Sequence, residues 1–160
     1  MYLRGINVNA MRAVVQRVRR AGVSIGGRQK AAIGVGVLVL LGVEGVDTEV
    51  DAQWLARKIC ALRIFDDGAG VMNRSLLDIG GDALVVSQFT LMASYKGGNR
   101  PSYIRAAGHE TAIPLYGRFV ALLESILGRA VGTGEFGAEM QVELVNDGPV
   151  TICMDSRDKE

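Results

Sequence analysis

The sequence predicts an α+β fold, a largely antiparallel β-sheet or barrel with two long helices packed outside it. Three observations carry this. Strand-like segments of β-branched and apolar residues occur at both ends and in the middle of the chain, whereas a 3.6-residue period appears in only two places. The elements read in the order strand, strand, strand, helix, strand, helix, strand, strand, which argues for α+β. Glycine is in excess, 21 residues against 3 prolines, as expected for many tight turns or close backbone approaches. A chain of 160 residues, 49% hydrophobic and 22% charged, favours one domain that buries ~70% of its unfolded surface.

The first strand is predicted over Met11–Val18, where Val14, Val15 and Val18 surround Gln16 and Arg17. Residues 1–10 show no such pattern and read as a disordered extension. Val23-Ser24-Ile25 followed by Gly26-Gly27 predicts a hairpin, because Gly-Gly supplies the positive φ of a primed turn. Ile33–Val43, nearly all Val, Leu and Gly, predicts a central strand buried on both faces. From Asp47 the period changes: Val50, Trp54, Leu55, Ile59 and Leu62 predict a helix, with Asp47 or Thr48 as N-cap and Glu49 and Asp51 in its first turn. Asp66–Gly70 reads as a turn. Ala83–Met92 predicts another strand, and Thr111–Leu127 the second long helix, with Pro114 in its first turn. Phe136–Val145 and Val150–Met154 predict two closing strands around a turn at Asn146–Pro149. A domain over residues 11–155 and a charged tail over 156–160 complete the division.

Several function classes are excluded or made remote. The longest uncharged stretch, Ala31–Val43, is too short to span a bilayer. Lys+Arg 18 against Asp+Glu 17 excludes a strongly basic nucleic-acid coat, though not a local basic patch. Cys60 and Cys153 lie far apart in apolar segments and read as buried thiols of a reducing cytoplasm. With no CxxC and a single histidine, His109, a zinc site is not expected. The carboxylates of Asp66-Asp67-Gly68 lack EF-hand spacing and read as a turn rather than a metal site.

Three segments break the rules of a core. In Val85-Val86-Ser87-Gln88-Phe89-Thr90-Leu91, polar side chains interrupt an apolar strand and must find partners or line a pocket. Ser87 is a weak nucleophile candidate, since the Gly-x-Ser-x-Gly elbow is absent and only His109 could serve as imidazole base. An alternating strand with one polar face is the plainer reading. Asn146-Asp147-Gly148-Pro149 reads as a tight turn, or as a rigid backbone wedge beside a pocket if the bond before Pro149 is cis. The third segment is a basic set, Arg17, Arg19, Arg20 and Arg28 with Lys96, Arg100 and Arg105. It suits either a solvated face or phosphate contacts. His109 reads as a helix-edge surface residue.

Six collinear motifs go further. Gln16-Arg17-Val18, Arg63-Ile64-Phe65, Met72-Asn73, Ser87-Gln88-Phe89-Thr90-Leu91, Arg100-Pro101-Ser102 and Val145-Asn146-Asp147-Gly148-Pro149-Val150-Thr151 together resemble the D-aminoacyl-tRNA deacylases, from Met11 to about Met154. The resemblance implies a cytoplasmic, homodimeric ester hydrolase without metal or organic cofactor. Its implied substrate is a D-amino acid, or glycine, esterified to the 3′-terminal adenosine of tRNA. It implies that Ser87, Gln88, Phe89 and Thr90 form the catalytic pocket floor, with backbone N–H groups near Phe89 and Thr90 for the oxyanion and an adenosine 2′-hydroxyl helping to activate water. It implies that Gly148 and Pro149 form a cis pair that enters the partner subunit's pocket and excludes L-amino acids, that Arg17 braces this loop, and that Met140 lies beside the pocket. Residues 1–10 have no counterpart in the family pattern, and Val71 stands where that family usually has lysine. The rival expectations are a non-catalytic tRNA- or RNA-binding module and a serine esterase built on Ser87.

Overall fold

A computed structural model describes residues 10–160, so nine of the ten residues of the expected N-terminal extension lie outside the described residues. The first strand, β1 (Arg12–Ile25), is longer than its apolar pattern suggests. Its first half pairs antiparallel with β3 (Gly36–Gly42) and its second half with β2 (Arg28–Ile33). The β1–β2 turn is the expected one, with Gly26 at φ +57° and Gly27 at φ +78°. On its other side β1 pairs along its length with β8 (Gln141–Asp155).

The expectation of a largely antiparallel sheet needs correction on one side. There β6 (Asp82–Ser87) joins β3 in parallel, and the two-residue β7 (Gly132–Thr133) joins β6 in parallel. Parallel neighbours need long crossovers. The first contains α1 (Glu49–Ala61), a small hairpin of β4 (Phe65–Asp66) and β5 (Met72–Arg74), and α2 (Leu76–Ile79); the second contains α3 (His109–Leu127). The sheet rolls until β2 lies against β6 and β7, a nearly closed barrel. Lys30 Nζ donates to the Thr133 carbonyl at 3.3 Å across the closing gap.

Two apolar layers follow from the alternation of side chains. Val15, Val39, Leu41 and Val85 face Leu55 and Ile59 of α1 and Phe119 and Leu123 of α3. Val18, Val23, Leu38, Leu84 and Val86 fill the inside of the rolled sheet. Burial of β3 on both faces is as its composition predicts. Helix α1 starts after Thr48, whose N–H donates to Asp51 Oδ2 at 2.8 Å. Val50 does not join its buried stripe and is exposed, because it falls on the outer side of the first turn. Helix α3 begins two residues before the predicted start, which puts Pro114 at its sixth position, in the second turn.

Four further expectations are corrected. β6 ends at Ser87, and Phe89–Met92 form a 3-10 turn rather than the end of a strand. Asn146–Pro149 is not a turn between two strands, because β8 runs through it as one strand that pairs with β1 on both sides of it. Residues 136–140 form a loop. Both cysteines are free, but only Cys60 is buried; Cys153 is exposed on the outer side of β8. No helix among the described residues is long and apolar enough to cross a membrane.

Candidate active site

At the end of β6, Ser87 pairs with Leu41 of β3, and the next amide, Gln88 N–H, donates to the Leu41 carbonyl at 2.8 Å. The chain then tightens into the 3-10 turn. The turn can lie this close to β3 because residue 42 is glycine: a Cβ there would stand 2.9 Å from Met92 Cε and 3.1 Å from the Gln88 carbonyl oxygen. Gln88 Nε2 donates to Thr90 Oγ1 at 2.5 Å, which holds both side chains. Phe89 and Thr90 occupy the first positions of the turn, where N–H groups have no acceptor within the turn itself.

This segment is the floor of a cleft of about 580 Å³, a size suited to a small organic ligand. Ser87, Gln88 and Phe89 line it, with Met140 and Val142 on one side. Opposite stand Tyr103, Ala106 and Ala107, held to the end of β3 by Ala107 N–H on the Val43 carbonyl at 2.9 Å. The half-exposed Phe89 ring meets Tyr103 edge-on, with centroids 5.0 Å apart. His109, first residue of α3, sits exposed at the rim against Phe136, 5.3 Å between centroids and nearly perpendicular. Phe136 also meets Tyr116, whose hydroxyl donates to the Val85 carbonyl at 2.7 Å; burial pushes the Tyr116 phenol up to about 12. Tyr116 is therefore a neutral strut rather than a base.

The second group lies on β8. Gln16 pairs with Thr151 and Val18 with Asn146, so residues 147–150 stand opposite Arg17 alone. This is a four-residue bulge, and three side chains brace it. Arg17 is 8% exposed; its Nε donates to the Asp147 carbonyl at 2.7 Å and its Nη1 to the Ile64 carbonyl at 2.8 Å. Asn146 Oδ1 accepts Val150 N–H at 2.8 Å, and its Nδ2 donates to Thr151 Oγ1 at 3.1 Å. Arg19 reaches Asp147 Oδ1 at 3.4 Å. The Gly148–Pro149 peptide bond is cis, with Gly148 at φ +135°, a conformation that favours glycine. Both residues are exposed.

Ser87, Gln88, Phe89 and Met140 thus meet in one cleft with Thr90 hydrogen-bonded to Gln88, while Arg17, Gly148 and Pro149 form a separate group outside that cleft. Of the basic set, Arg17 and Arg105 are spent inside the fold, Arg105 on Glu44 at 3.7 Å. Arg19, Arg20, Arg28, Lys96 and Arg100 are exposed. Sequence reasoning missed Tyr103, Phe136 and Ala138, which reach the cleft from distant loops, and Gly42, whose value lies in the space it leaves. No group of three or more metal-ligating side chains occurs among the described residues.

Residues 14–155 match the family model described as D-Tyr-tRNA(Tyr) deacylase. A D-aminoacyl-tRNA deacylase of Phocaeicola vulgatus is 61% identical over 150 residues, covering 94% of this chain and 100% of the relative. One from Chromobacterium violaceum is 60% identical with the same coverage. Among solved structures, the c-Myc DNA Unwinding Element Binding Protein superposes with a TM-score of 0.85 at 43% identity, over 89% of this chain and 97% of that one. A probable eukaryotic D-amino acid tRNA deacylase superposes at 0.80 and 17% identity, over 91% and 99%, a likeness of fold alone. With nearly the whole chain covered by the family model and by relatives at about 60% identity, this chain belongs to the D-Tyr-tRNA(Tyr) deacylase family.

Proposed function

We propose that this chain hydrolyses the ester joining a D-amino acid, or glycine, to the 3′-terminal adenosine of tRNA. Water adds to the ester carbonyl carbon, the 3′-oxygen leaves with a proton, and free amino acid and tRNA are released. The relatives' names support the reaction class. The observation that carries the reading is the cleft floor, where β6 gives way to a 3-10 turn and the Phe89 and Thr90 N–H groups are left available to a developing oxyanion. Ser87 and Gln88 position the ester, and the adenosine 2′-hydroxyl helps activate water. This division of labour suits a cleft whose one imidazole, His109, lies at the rim.

Chirality is enforced from a second copy of the chain. The Gly148–Pro149 bulge of one subunit enters the cleft of the other, where its backbone blocks an L side chain and leaves a D side chain or hydrogen free. Its exposure outside its own cleft supports that arrangement, as do the exposed Phe89, Tyr103 and Ile104 beside the cleft mouth. The enzyme works in the cytoplasm, and its exposed arginines and lysines meet tRNA phosphates. Deacylation of D-Tyr-tRNA with L-Tyr-tRNA spared is the expected result; equal rates on both enantiomers overturn the reading. Sedimentation is expected to show a dimer, and a monomer with full selectivity would exclude action across subunits.

A further inference from the structure

Glu44, two residues beyond the end of β3, has no exposed surface, and no side chain hydrogen-bonds either of its carboxylate oxygens, which have only the Ala10 backbone amide beside them. A buried carboxylate without such partners is costly. Its nearest cation is Arg105, with Nη1 at 3.7 Å and a buried Nε that is itself unpartnered. Around it the fold gathers Asp47, Asp51 and Asp155, together with Arg12, Arg105 and Arg157. Four carboxyl groups therefore face three guanidinium groups. Burial raises the Glu44 carboxyl above its ordinary value, while Arg105, Arg12 and the Ala10 backbone amide pull it down.

The chain's own backbone passes through this cluster. Met11 is wholly buried, and its N–H donates to Ser156 Oγ at 3.2 Å. Ser156, itself buried, donates onward to Asp51 Oδ1 at 2.7 Å, and Arg157 binds the same carboxylate at 3.0 Å. The preceding Ala10 is buried against Glu44. We propose that Glu44, Ser156 and Asp51 form a receptor for a free α-ammonium group on Met11, and that the form of the chain which completes the fold begins at residue 11. An ammonium carries three donors where the peptide N–H has one. One keeps Ser156, and loss of Ala10 leaves the place beside Glu44 to the others. Its positive charge then stands among these carboxyl groups. Residue 11 is a methionine, and the relatives at about 60% identity match over their whole length within 150 of this chain's 160 residues.

The test compares the full chain with the chain 11–160, which contains every helix and strand among the described residues. The shorter chain is expected to melt at the higher temperature. Glu44→Gln should lower its melting point by about 10 °C, the scale of a broken buried ion pair, and that of the full chain by much less. An equal loss in both forms overturns the proposal. Should the variant not fold, the wild-type chain 11–160 still decides. Its α-amine should react with an amine-labelling reagent at pH 8 at least tenfold more slowly in the native state than in urea, and equal rates overturn the proposal.

Discussion

Strand β6 stops at Ser87 and folds into a 3-10 turn, whereas β8 carries its irregular segment, residues 147–150, inside an otherwise continuous strand. Both segments were polar interruptions in apolar surroundings, yet the fold treats them oppositely. At β6 the backbone turns inward over Gly42 and leaves N–H groups unused at the floor of a cleft. At β8 the neighbouring backbone is bound up by Arg17 and Asn146, and what remains exposed is Gly148 and Pro149. One irregularity receives; the other projects. Two such surfaces suit the proposal that ester chemistry belongs to the first and stereochemical exclusion, from another copy of the chain, to the second.

Substitutions can break this comparison from either side. The largest effect is expected at Gly148→Ala, because the added Cβ would stand 2.8 Å from Arg17 Nη2 and 3.2 Å from the Val150 nitrogen at a φ that L side chains rarely adopt. Deacylation of D-Tyr-tRNA should fall more than ~100-fold, the order of a lost ~3 kcal/mol; a wild-type rate and selectivity would show that the bulge has no part in the reaction. Arg17→Ala comes next. It leaves the Asp147 and Ile64 carbonyls without their charged donor, and chemical denaturation should report a loss of about 2–4 kcal/mol, together with weakened discrimination against L-Tyr-tRNA. Unchanged stability would mean that the bulge holds its shape without the guanidinium.

Smaller effects are expected on the receiving side. Thr90→Ala removes the partner of Gln88 but no backbone donor, so kcat should fall by only ~10-fold, and Ser87→Ala should leave measurable turnover. Abolished activity in Ser87→Ala would restore the serine-esterase reading. The smallest concerns Asp47, whose carboxyl is pushed up to about 7, chiefly by burial. A raised acid pKa makes its contribution to stability greatest below the unfolded value of ~4 and lost as pH rises through 7. Asp47→Asn should therefore flatten the thermal-stability profile between about pH 4 and 7, and a profile identical to wild type would show that Asp47 ionises without cost.

Much of the fold was legible where local chemistry and tertiary structure agree. Gly26-Gly27 demanded a primed turn and made one, and the Leu55 and Ile59 stripe of α1 faces the core as its period requires. Disagreement came where a partner strand overrode local preference. Asn146–Pro149 has turn composition, but the fourteen-residue β1 runs on past it and keeps β8 extended on either side of the bulge. The Ser75 and Asp78 capping box and the left-handed Gly80 define α2, which is too short to show a period. Parallel pairing of β3 with β6 left as its local mark only the near-continuous apolar run of each strand. At the site, Ser87, Gln88 and Phe89 could be read from polar side chains in an apolar strand. Phe136 and Tyr103 could not, since loops carry them there from far along the chain.

The parallel pair has a consequence of its own. Because Gly36 faces Asp82 and Leu41 faces Ser87 in one register, β3 and β6 deliver their carboxyl ends to the same rim. The wall residues Ala106 and Ala107 hang from the residues just beyond one strand, and the floor follows the other. The width of the mouth is thus a matter of counting. One residue added to β3 would carry the wall about 3.3 Å along and turn the following side chains to the opposite face, with composition and apolar content almost unchanged. At this rim, length is a more tightly held quantity than the identity of most side chains.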